Sequence, residues 1–280
     1  MTEQAERYDR ISEGYARWWA PVIAPAALVA IDEVATAIDG GATAIDGGAT
    51  RILDVGTGTG TLTVAILRRW PEVVVTAIDA SAGMIAKAGA EADRLLTADQ
   101  RTRLDLRVAF ADELGLDDGS FDVAVSSFVL QLVPNRFRAL QEIHRVLRPG
   151  GVFGWVSWLA HDATWAPDLD FDDALEEVGE EPRGWNDRPG DLPDVAAAAA
   201  QMRRAGFADV RATAAELVHP FDIDGYVGFM AEFDEEDLIQ GLEPDVRTRF
   251  DAALRRRLLR RRPEQLALRL PTVAVRGMRR

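Results

Sequence analysis

The sequence contains no cysteine, one lysine (Lys87) and only three histidines in 280 residues. The absence of cysteine excludes disulfides, thiolate metal sites and a thiol nucleophile. His144, His161 and His219 show no metal-binding spacing, such as two histidines four residues apart on one helix. The sequence therefore predicts chemistry that needs no bound metal.

Long apolar runs are also missing. The best candidate, residues 20–31, is shorter than the roughly 18 residues that a membrane span requires, and it contains two prolines. The N-terminal residues lack the basic and apolar segments of a secretory signal. These observations predict a cytoplasmic protein that does not insert into a membrane.

Basic residues are too few to balance the acids, and the formal net charge is -14 at pH 7. A field of this sign repels a phosphate backbone, so nucleic acid is not expected as a partner. The charge is also uneven, because residues 254–280 hold ten arginines against one acid, whereas residues 162–191 form the most acidic stretch. We interpret these two segments as solvated faces of opposite charge that can attract each other.

Strand and helix patterns alternate along the chain after residue 50. Short apolar or β-branched runs predict strands at residues 51–55, 73–78, 104–110, 121–128, 152–158, 210–218 and 266–275. Helical spacing predicts helices at residues 62–70, 82–96, 136–147, 195–205 and 246–262, the second of them capped by Ser81. Such alternation indicates parallel β-α-β units with helices on both faces, which is a doubly wound α/β fold.

The heptapeptide Ala-Thr-Ala-Ile-Asp-Gly-Gly occurs twice, at residues 35–41 and 42–48. Two copies do not make a repeat architecture. Because glycine pairs would break a helix, we predict a duplicated surface loop that joins an N-terminal helical segment to the core.

Residues 52–60 read Ile-Leu-Asp-Val-Gly-Thr-Gly-Thr-Gly, a buried strand that runs into a glycine turn and then a helix. In sheets of this kind, ligands bind beyond the carboxyl ends of the strands. The glycines let the backbone approach a ligand, and the helix N-terminus offers free N–H groups to an anion. The segment therefore predicts a nucleotide-like cofactor.

The spacing of the glycines limits which cofactor is bound. A dinucleotide fingerprint places its third glycine where this chain has Thr61, and no Gly-Lys-Ser/Thr follows to make a phosphate loop. Asp79 ends the second predicted strand, where a carboxylate can accept both hydroxyls of a ribose. Because Asp79 fits NAD as well as other adenosine cofactors, an NAD-linked oxidoreductase is one alternative. Thr61 and the long segment before the first core strand argue against it.

The pattern Asp54-x-Gly56-x-Gly58-x-Gly60 resembles motif I of class I S-adenosylmethionine-dependent methyltransferases. Further segments match this family in the same order along the chain. The first of them is Asp79, which corresponds to the family's ribose-binding acid.

The resemblance continues after the third predicted strand. Ala111-Asp112-Glu113-Leu114 resembles the segment whose Asp accepts a hydrogen bond from the adenine amino group. Residues 121–127 resemble the family's fourth strand, whose end faces the methionine part of the cofactor, and residues 145–151 resemble its helix-to-strand turn. The matches weaken beyond residue 158, in the part of the chain that selects the acceptor.

The resemblance implies S-adenosylmethionine as the cofactor, S-adenosylhomocysteine as the product and a small molecule as the methyl acceptor. It implies a mostly parallel, seven-stranded Rossmann-like sheet with N-terminal helices and a final antiparallel strand at the sheet edge. Residues 1–50 would form the N-terminal segment, residues 51–160 the cofactor-binding core, and residues 161–280 the rest of the same domain, with a helical cap at about residues 218–262. The implied cofactor contacts are Tyr8, Tyr15, Asp54, Gly56, Thr57, Gly58, Gly60, Asp79, Ala80, Met84, Ala111, Asp112, Glu113, Ser126, Ser127 and Phe128.

Residues 8–15, Tyr-Asp-Arg-Ile-Ser-Glu-Gly-Tyr, resemble the subgroup that methylates small molecules, including enzymes of quinone biosynthesis. In that subgroup an N-terminal helix closes over the cofactor. Ordinary helix packing is the alternative for Tyr8, Tyr15, Trp18 and Trp19.

Aromatic residues concentrate around the end of the fifth predicted strand; they are Trp155, Trp158, Trp165, Phe171 and Trp185. They suggest an apolar, planar acceptor pocket in which Trp158 and Trp165 contact the substrate. Because alternate residues of a strand face the core, only some of these side chains can line a pocket. His161 follows the same strand and is the candidate general base, with a solvated loop residue as the alternative. His144 is expected on a surface face of its helix.

Two other functions are weighed against methyl transfer to a small molecule. A catalytically silent, cofactor-binding regulatory protein would keep the same fold. Methylation of protein or nucleic acid is disfavoured, because the sequence lacks the Asn-Pro-Pro-Tyr signature of amino-methylating DNA enzymes and carries the wrong charge. The acceptor atom, oxygen or carbon, and the oligomeric state stay open at the level of sequence.

Overall fold

The computed structural model describes residues 3–39, 49–183 and 190–280. Within these ranges, seven strands form one sheet. They are β1 (Thr50–Val55), β2 (Val73–Asp79), β3 (Leu104–Val108), β4 (Phe121–Ser127), β5 (Leu147–Trp158), β6 (Phe207–Pro220) and β7 (Ala267–Arg279). Their spatial order is β3-β2-β1-β4-β5-β7-β6.

The strand directions confirm the predicted, mostly parallel sheet, but the strand order differs from the prediction at one edge. β1 to β5 run parallel, and β7 is antiparallel to both of its neighbours, β5 and β6. The last strand was predicted at the edge, which is wrong, because β7 lies inside the sheet and β6 forms the edge. Burial explains this order: Val273 and Val275 of β7 are fully buried, whereas most of β6 is exposed or half-buried, as suits an edge strand.

Helices precede the sheet, connect its strands and form an insertion between β6 and β7. They are α1 (Glu3–Arg10), α2 (Ser12–Gly14), α3 (Ala20–Ala27), α4 (Val29–Asp39), α5 (Thr61–Arg69), α6 (Ala82–Leu95), α7 (Ala98–Thr102), α8 (Arg136–Val146), α9 (Ala166–Val178), α10 (Val195–Arg204), α11 (Ile223–Phe229), α12 (Glu236–Gly241), α13 (Pro244–Leu258) and α14 (Pro263–Leu266). Two π-helical turns join neighbouring helices. We call Tyr15–Trp19 the first π-turn and Met230–Asp234 the second π-turn.

The predicted elements differ from the observed ones mainly at their ends. The predicted cap of α6 is confirmed, because the Ser81 hydroxyl accepts a hydrogen bond from the Met84 amide at 3.0 Å. β5 begins earlier than predicted, since Leu147 pairs with Phe121 ahead of a bulge. The helix predicted to reach residue 262 ends at Leu258, and the residues after it form turns before α14.

The duplicated heptapeptide is not wholly a loop. Residues 35–39 form the end of α4, and Ala35 and Ile38 are buried against the core. The loop prediction is therefore wrong for this part, because burial of apolar side chains favours continuing the helix up to the glycines. Residues 40–48, which make up the rest of both copies, lie outside the described residues.

Helices cover both faces of the sheet, as predicted. Ile52 of β1 packs with α3, α4 and α5, whereas Leu53 and Val55 of the same strand pack with α8 and α10. α4 lies very close to β5 at Gly154, where a Cβ would be 2.7 Å from Val34 Cγ1. The sheet is thus buried on two sides, and only its ends are available for a site.

The acidic and the arginine-rich segments pack against each other. Helix α9 of the acidic segment contacts the end of α13 and the arginine-rich turn that follows it. Arg261 donates hydrogen bonds of 2.8 Å to both carboxylate oxygens of Asp170. Arg257 pairs with Asp173 and Glu177, each at 3.0 Å. The predicted attraction between the segments is confirmed, but Asp170 is not solvated, because its side chain is only 6% exposed.

Among the described residues, no individual helix has the length and apolar character needed to cross a membrane. One bent pair, Ser12–Ala27 followed by Val29–Asp39, meets that test jointly on length and composition alone. The same residues contain no group of three or more His, Asp or Glu side chains arranged to hold a metal ion.

Candidate active site

A cavity of about 1210 Å³ opens at the carboxyl ends of the parallel strands. Its walls include Gly56 after β1, Asp79 at the end of β2, Ser127 at the end of β4 and Trp158 at the end of β5. This volume exceeds the roughly 300–1,000 Å³ of a typical small-molecule site, so two ligands can lie side by side in it.

The glycine turn between β1 and α5 forms one wall of the cavity. Gly56 and Gly58 have φ angles of 71° and 54°, which side chains rarely adopt. A Cβ on Gly56 would lie 2.3 Å from Val129 Cγ2 and would clash with it. A Cβ on Gly58 would lie 3.6 Å from the Tyr15 hydroxyl, which is an ordinary van der Waals contact with the N-terminal segment. The turn therefore requires glycine for its backbone at both positions and for space at Gly56.

Asp54 stabilises the glycine turn from behind and does not line the cavity. Its Oδ2 accepts hydrogen bonds from the hydroxyls of Thr57 (2.8 Å) and Thr63 (2.7 Å). The residue is 1% exposed, and its Oδ1 is buried without a hydrogen-bond partner. Burial in these surroundings raises the pKa of Asp54 to about 6. Asp54 and Thr57 thus hold the turn in shape.

Asp79 lies where the sequence predicts a ribose-binding acid. Its Oδ2 accepts a hydrogen bond from the Gly58 amide (2.9 Å), and its Oδ1 accepts one from the Ser81 amide (3.0 Å). Burial raises the pKa of Asp79, against the opposing effect of these hydrogen bonds. A carboxylate has about four lone-pair positions, so two remain for a ligand in the cavity.

The N-terminal segment closes the same end of the cavity. The Asp9 carboxylate accepts hydrogen bonds from the Ser81 hydroxyl (2.5 Å) and the Gly83 amide (2.8 Å), which fixes α1 to the start of α6. These hydrogen bonds lower the pKa of Asp9. Tyr8 and Tyr15 line the cavity beside Asp79, and burial raises the pKa of both hydroxyls.

The predicted cofactor contacts divide into two groups. Those that line the cavity are Tyr8, Tyr15, Gly56, Gly58, Asp79, Ala80, Met84, Ala111, Asp112, Ser127 and Phe128. Those that do not line it are Asp54, Thr57, Gly60, Glu113 and Ser126. Glu113 is exposed, and the Ser126 hydroxyl points into the sheet and donates to the Val55 carbonyl at 2.8 Å.

The predicted aromatic cluster also divides. Trp158 and Trp165 line the cavity, whereas Trp155 and Phe171 are fully buried in the core. The alternation of β5 explains the first difference, because Trp155 and Trp158 are an odd number of residues apart. Trp185 lies outside the described residues.

The rings that line the cavity touch one another in a row. Phe128 stacks on Trp158 with centroids 3.9 Å apart, and Trp158 lies 6.2 Å from Trp19. Trp19 is nearly parallel to Phe233 at 5.8 Å, and Phe233 contacts the edge of Tyr15 at 5.6 Å. The row therefore connects the end of the cavity at Trp158 with the end at the glycine turn.

Neither His161 nor His144 has the surroundings expected from the sequence. His161 is not among the residues that line the cavity, and its Nδ1 is buried without a hydrogen-bond partner. The chain leaves the end of β5 by pairing Leu159 and Ala160 with Leu192.

The expectation of a surface face for His144 is wrong, because its half-buried ring packs on the edge of Phe207 at 5.0 Å and burial lowers its pKa.

Three charged residues of the cavity wall were missed from the sequence; they are Arg7, Asp168 and Asp234. Arg7 lies 5.8 Å from the ring centroids of Tyr8 and Phe233. Asp168 of α9 accepts a hydrogen bond from a tyrosine of α11, and Asp234 ends the second π-turn. They come from distant parts of the chain, and no local motif marks them.

Comparison with known proteins identifies the core of the chain. The profile of a methyltransferase domain family matches residues 52–151. A ubiquinone/menaquinone biosynthesis C-methyltransferase of Geobacter sp. (strain M21) is 42% identical over 104 residues, which cover 36% of this chain and 42% of that protein. A malonyl-[acyl-carrier protein] O-methyltransferase of Geobacter sulfurreducens is 35% identical over 161 residues, which cover 57% of this chain and 56% of that protein. The chain thus spans about half the length of these curated relatives.

A solved structure agrees with this assignment at the level of the fold. The YcgJ protein of Bacillus subtilis superposes with a TM-score of 0.53 at 18% identity, over 83% of this chain and 93% of that protein. The matched residues contain the first four strands, the start of β5 and the glycine turn. Residues 52–151 are therefore similar to a methyltransferase domain, and the sheet that contains them has a Rossmann-like methyltransferase fold.

Proposed function

We propose that this chain binds S-adenosylmethionine in the cavity and transfers its methyl group to a small, apolar or aromatic molecule, at an oxygen or a carbon atom. The observation that carries the proposal is the continuity of the cavity. One end is lined by Gly58, Asp79 and Asp112, and the other by Trp158 and Trp165. A methyl donor at the first end and an acceptor at the second would share one space.

The residues at the first end fit the cofactor. The amides of Gly58 and Ser81 hold the Asp79 carboxylate at the cavity wall, where it can accept ribose hydroxyls. Asp112 is the residue that would accept from the adenine amino group. The cavity continues from Gly58 to Ser127 and Phe128, which leaves room for the rest of the molecule. When bound, S-adenosylmethionine supplies a methyl group that is already activated by its cationic sulfonium.

The protein's own part in the reaction is to orient the acceptor and to exclude water. The acceptor oxygen or carbon would take the methyl group and give up its proton to water or to a basic side chain at the cavity wall. Holding both partners in line can lower the barrier by up to roughly 7–11 kcal/mol. The row of aromatic rings from Phe128 to Phe233 provides a water-poor wall for this alignment.

A general base would add roughly 10²–10⁴-fold where the acceptor proton is weakly acidic. His161 was the predicted base, and its position outside the cavity lining gives that role no support. The carboxylates of Asp168 and Asp234 line the aromatic end instead. The curated relatives named above are methyltransferases to carbon and to oxygen, which supports these two acceptor atoms.

Calorimetry of the full chain with S-adenosylhomocysteine, S-adenosylmethionine and NAD tests the cofactor. We expect saturable binding of the first two and none of NAD, and the reverse result would overturn the proposal. Labelled S-adenosylmethionine with a panel of phenols, quinols and polyketide-like compounds, with and without chelator, then tests transfer. Turnover that survives the chelator agrees with the predicted metal-free chemistry.

Cofactor binding without turnover on any compound of the panel would favour the alternative of a silent, regulatory protein.

Cytoplasmic residence and the absence of a nucleic-acid partner stay predictions from composition and charge.

A further inference from the structure

Phe128, the residue directly after β4, has an unusual backbone. Its φ angle is +55°, in the left-handed region, which is a genuine outlier for a bulky side chain. Within the described ranges, only one other non-glycine residue, Asp209, has a positive φ (+50°). Asp209 is exposed in the irregular part of β6, and aspartate tolerates this conformation far better than phenylalanine. Strain of this kind persists where the surroundings impose it, often at a functional site.

Contacts on both sides hold Phe128 in place. Its amide donates a 2.9 Å hydrogen bond to the Val156 carbonyl of β5, so the left-handed turn is tied to the sheet. Its ring is 7% exposed and stacks on Trp158 with 23° between the planes. The next residue, Val129, packs over Gly56 of the glycine turn. The turn therefore directs neighbouring side chains to different walls, Val129 to the cofactor wall and Phe128 to the aromatic wall.

This placement puts Phe128 at the junction of the two ends of the cavity. Ser127 and Val129, on either side of it, line the cavity together with the glycine turn. Trp158 continues the wall toward Trp19 at the acceptor end. An extended conformation, which an unstrained phenylalanine would adopt, would not give the same arrangement of neighbouring side chains.

We infer that Phe128 is a specificity-determining residue, whose strained backbone stacks its buried ring behind Trp158 and so fixes the flat face against which a planar apolar acceptor ring lies beside the cofactor. The inference rests on the proposed function, since it assigns the acceptor end of the same cavity. The chemical class that fits this wall is a planar, uncharged aromatic ring, because stacked rings gain from area and quadrupole complementarity.

The test measures two ligands on the same variants. S-adenosylhomocysteine binding is measured by calorimetry, and 1-naphthol, a planar apolar phenol, is titrated into the complex. Phe128→Ala and Phe128→Gly should weaken 1-naphthol binding by about tenfold or more, since each removes the ring that supports Trp158. Their loss of affinity for S-adenosylhomocysteine should be clearly smaller than their loss for 1-naphthol. Phe128→Tyr keeps the ring and should restore 1-naphthol binding.

Thermal unfolding separates the ring from the backbone strain. Phe128→Gly should melt at a higher temperature than Phe128→Ala, because glycine adopts a positive φ freely and alanine does not. Asp209→Gly is the matched control, with the same backbone change at an exposed site. It should leave the affinity for both ligands unchanged.

The outcomes distinguish this inference from the proposed function. A parent protein that does not bind S-adenosylhomocysteine overturns both. A parent that binds it but does not take 1-naphthol, or Phe128→Ala and Phe128→Gly variants that bind 1-naphthol as the parent does, overturns the inference alone. Equal losses of both ligands in Phe128→Ala would make Phe128 a cofactor contact and also overturn it.

Discussion

The carboxylate of Asp9 accepts a hydrogen bond from the Ser81 hydroxyl, and this contact ties the N-terminal helix to the wall of the cavity. Ser81 also caps α6 and, through its amide, holds Asp79. One serine therefore connects the closing segment, a core helix and the predicted ribose acid. Loss of the Asp9 contact should lower the affinity for the cofactor, although Asp9 itself does not line the cavity.

Asp9→Ala should weaken S-adenosylhomocysteine binding by about tenfold, because it removes two hydrogen bonds to a charged group, each worth roughly 1.5–3 kcal/mol when fully formed. Calorimetry gives the affinity directly. Arg94→Ala is the control on the same helix α6, where an exposed pair with Glu91 is lost without contact to the cavity. Equal affinities of the Asp9→Ala variant and the parent would show that closure by α1 does not depend on this contact.

Asp79→Ala should weaken the binding of S-adenosylhomocysteine more than Asp112→Ala does. Asp79 can accept two ribose hydroxyls, and it also holds the Gly58 amide, whereas Asp112 would accept a single amino group. We expect a loss of about 100-fold for Asp79→Ala and about tenfold for Asp112→Ala. Glu113→Ala, which removes an adjacent exposed carboxylate, should bind like the parent. The ranking fails if a folded Asp79→Ala protein retains parental affinity.

The cofactor end of the site could be predicted because its residues are set by local pattern. The strand, glycine turn and helix at residues 50–69 follow one another directly, and Asp79 ends the adjacent strand β2. Parallel neighbours bring such strand ends together without any further information. The same logic explains why Ser127 and Phe128, which follow β4 and were predicted as cofactor contacts, line the cavity.

The acceptor end could not be predicted in the same way. Trp19, Phe233 and Asp234 come from the two π-turns, which are separated by most of the chain and meet only in the fold. Trp18 of the first π-turn donates a 2.7 Å hydrogen bond to Glu232 of the second, and no sequence period signals such a pairing. The predicted position of β7 was wrong for a related reason, since no local pattern shows that β7, and not β6, pairs with β5.

The ion pairs that α9 makes with α13 and with the turn after it should differ strongly in their contribution to stability. Arg261→Gln leaves the buried Asp170 carboxylate uncompensated, and we expect a loss of about 2 kcal/mol or more in the free energy of unfolding. Arg256→Gln breaks an exposed pair with Glu177 and should cost much less, because solvent screens that pair. Urea unfolding of both variants makes the comparison. If both lose the same amount, burial of Asp170 has no special energetic consequence, whereas a stable Arg261→Met, Asp170→Leu double variant would support the argument.

Asp54 should give the protein a distinctive dependence of stability on pH. Burial raises its pKa from 3.8 to about 6, so the folded state binds the Asp54 proton more tightly than the unfolded chain does. A group of this kind stabilises the fold while it is protonated, and the stabilisation is lost as pH rises from the unfolded pKa through the folded pKa. The relevant window therefore lies between about pH 4 and pH 7.

The measurement compares the parent with Asp54→Asn, whose amide is neutral at every pH. Between pH 5 and pH 7.5 the free energy of unfolding of the parent should fall relative to the variant by on the order of 1 kcal/mol. Other titrating groups are common to the two proteins, so their contributions cancel in the difference. Parallel curves would mean that the Asp54 carboxylate is ionised in the fold throughout this range. Its buried, unpartnered Oδ1 argues against that result, because an ionised carboxylate oxygen without a hydrogen bond is costly in the interior.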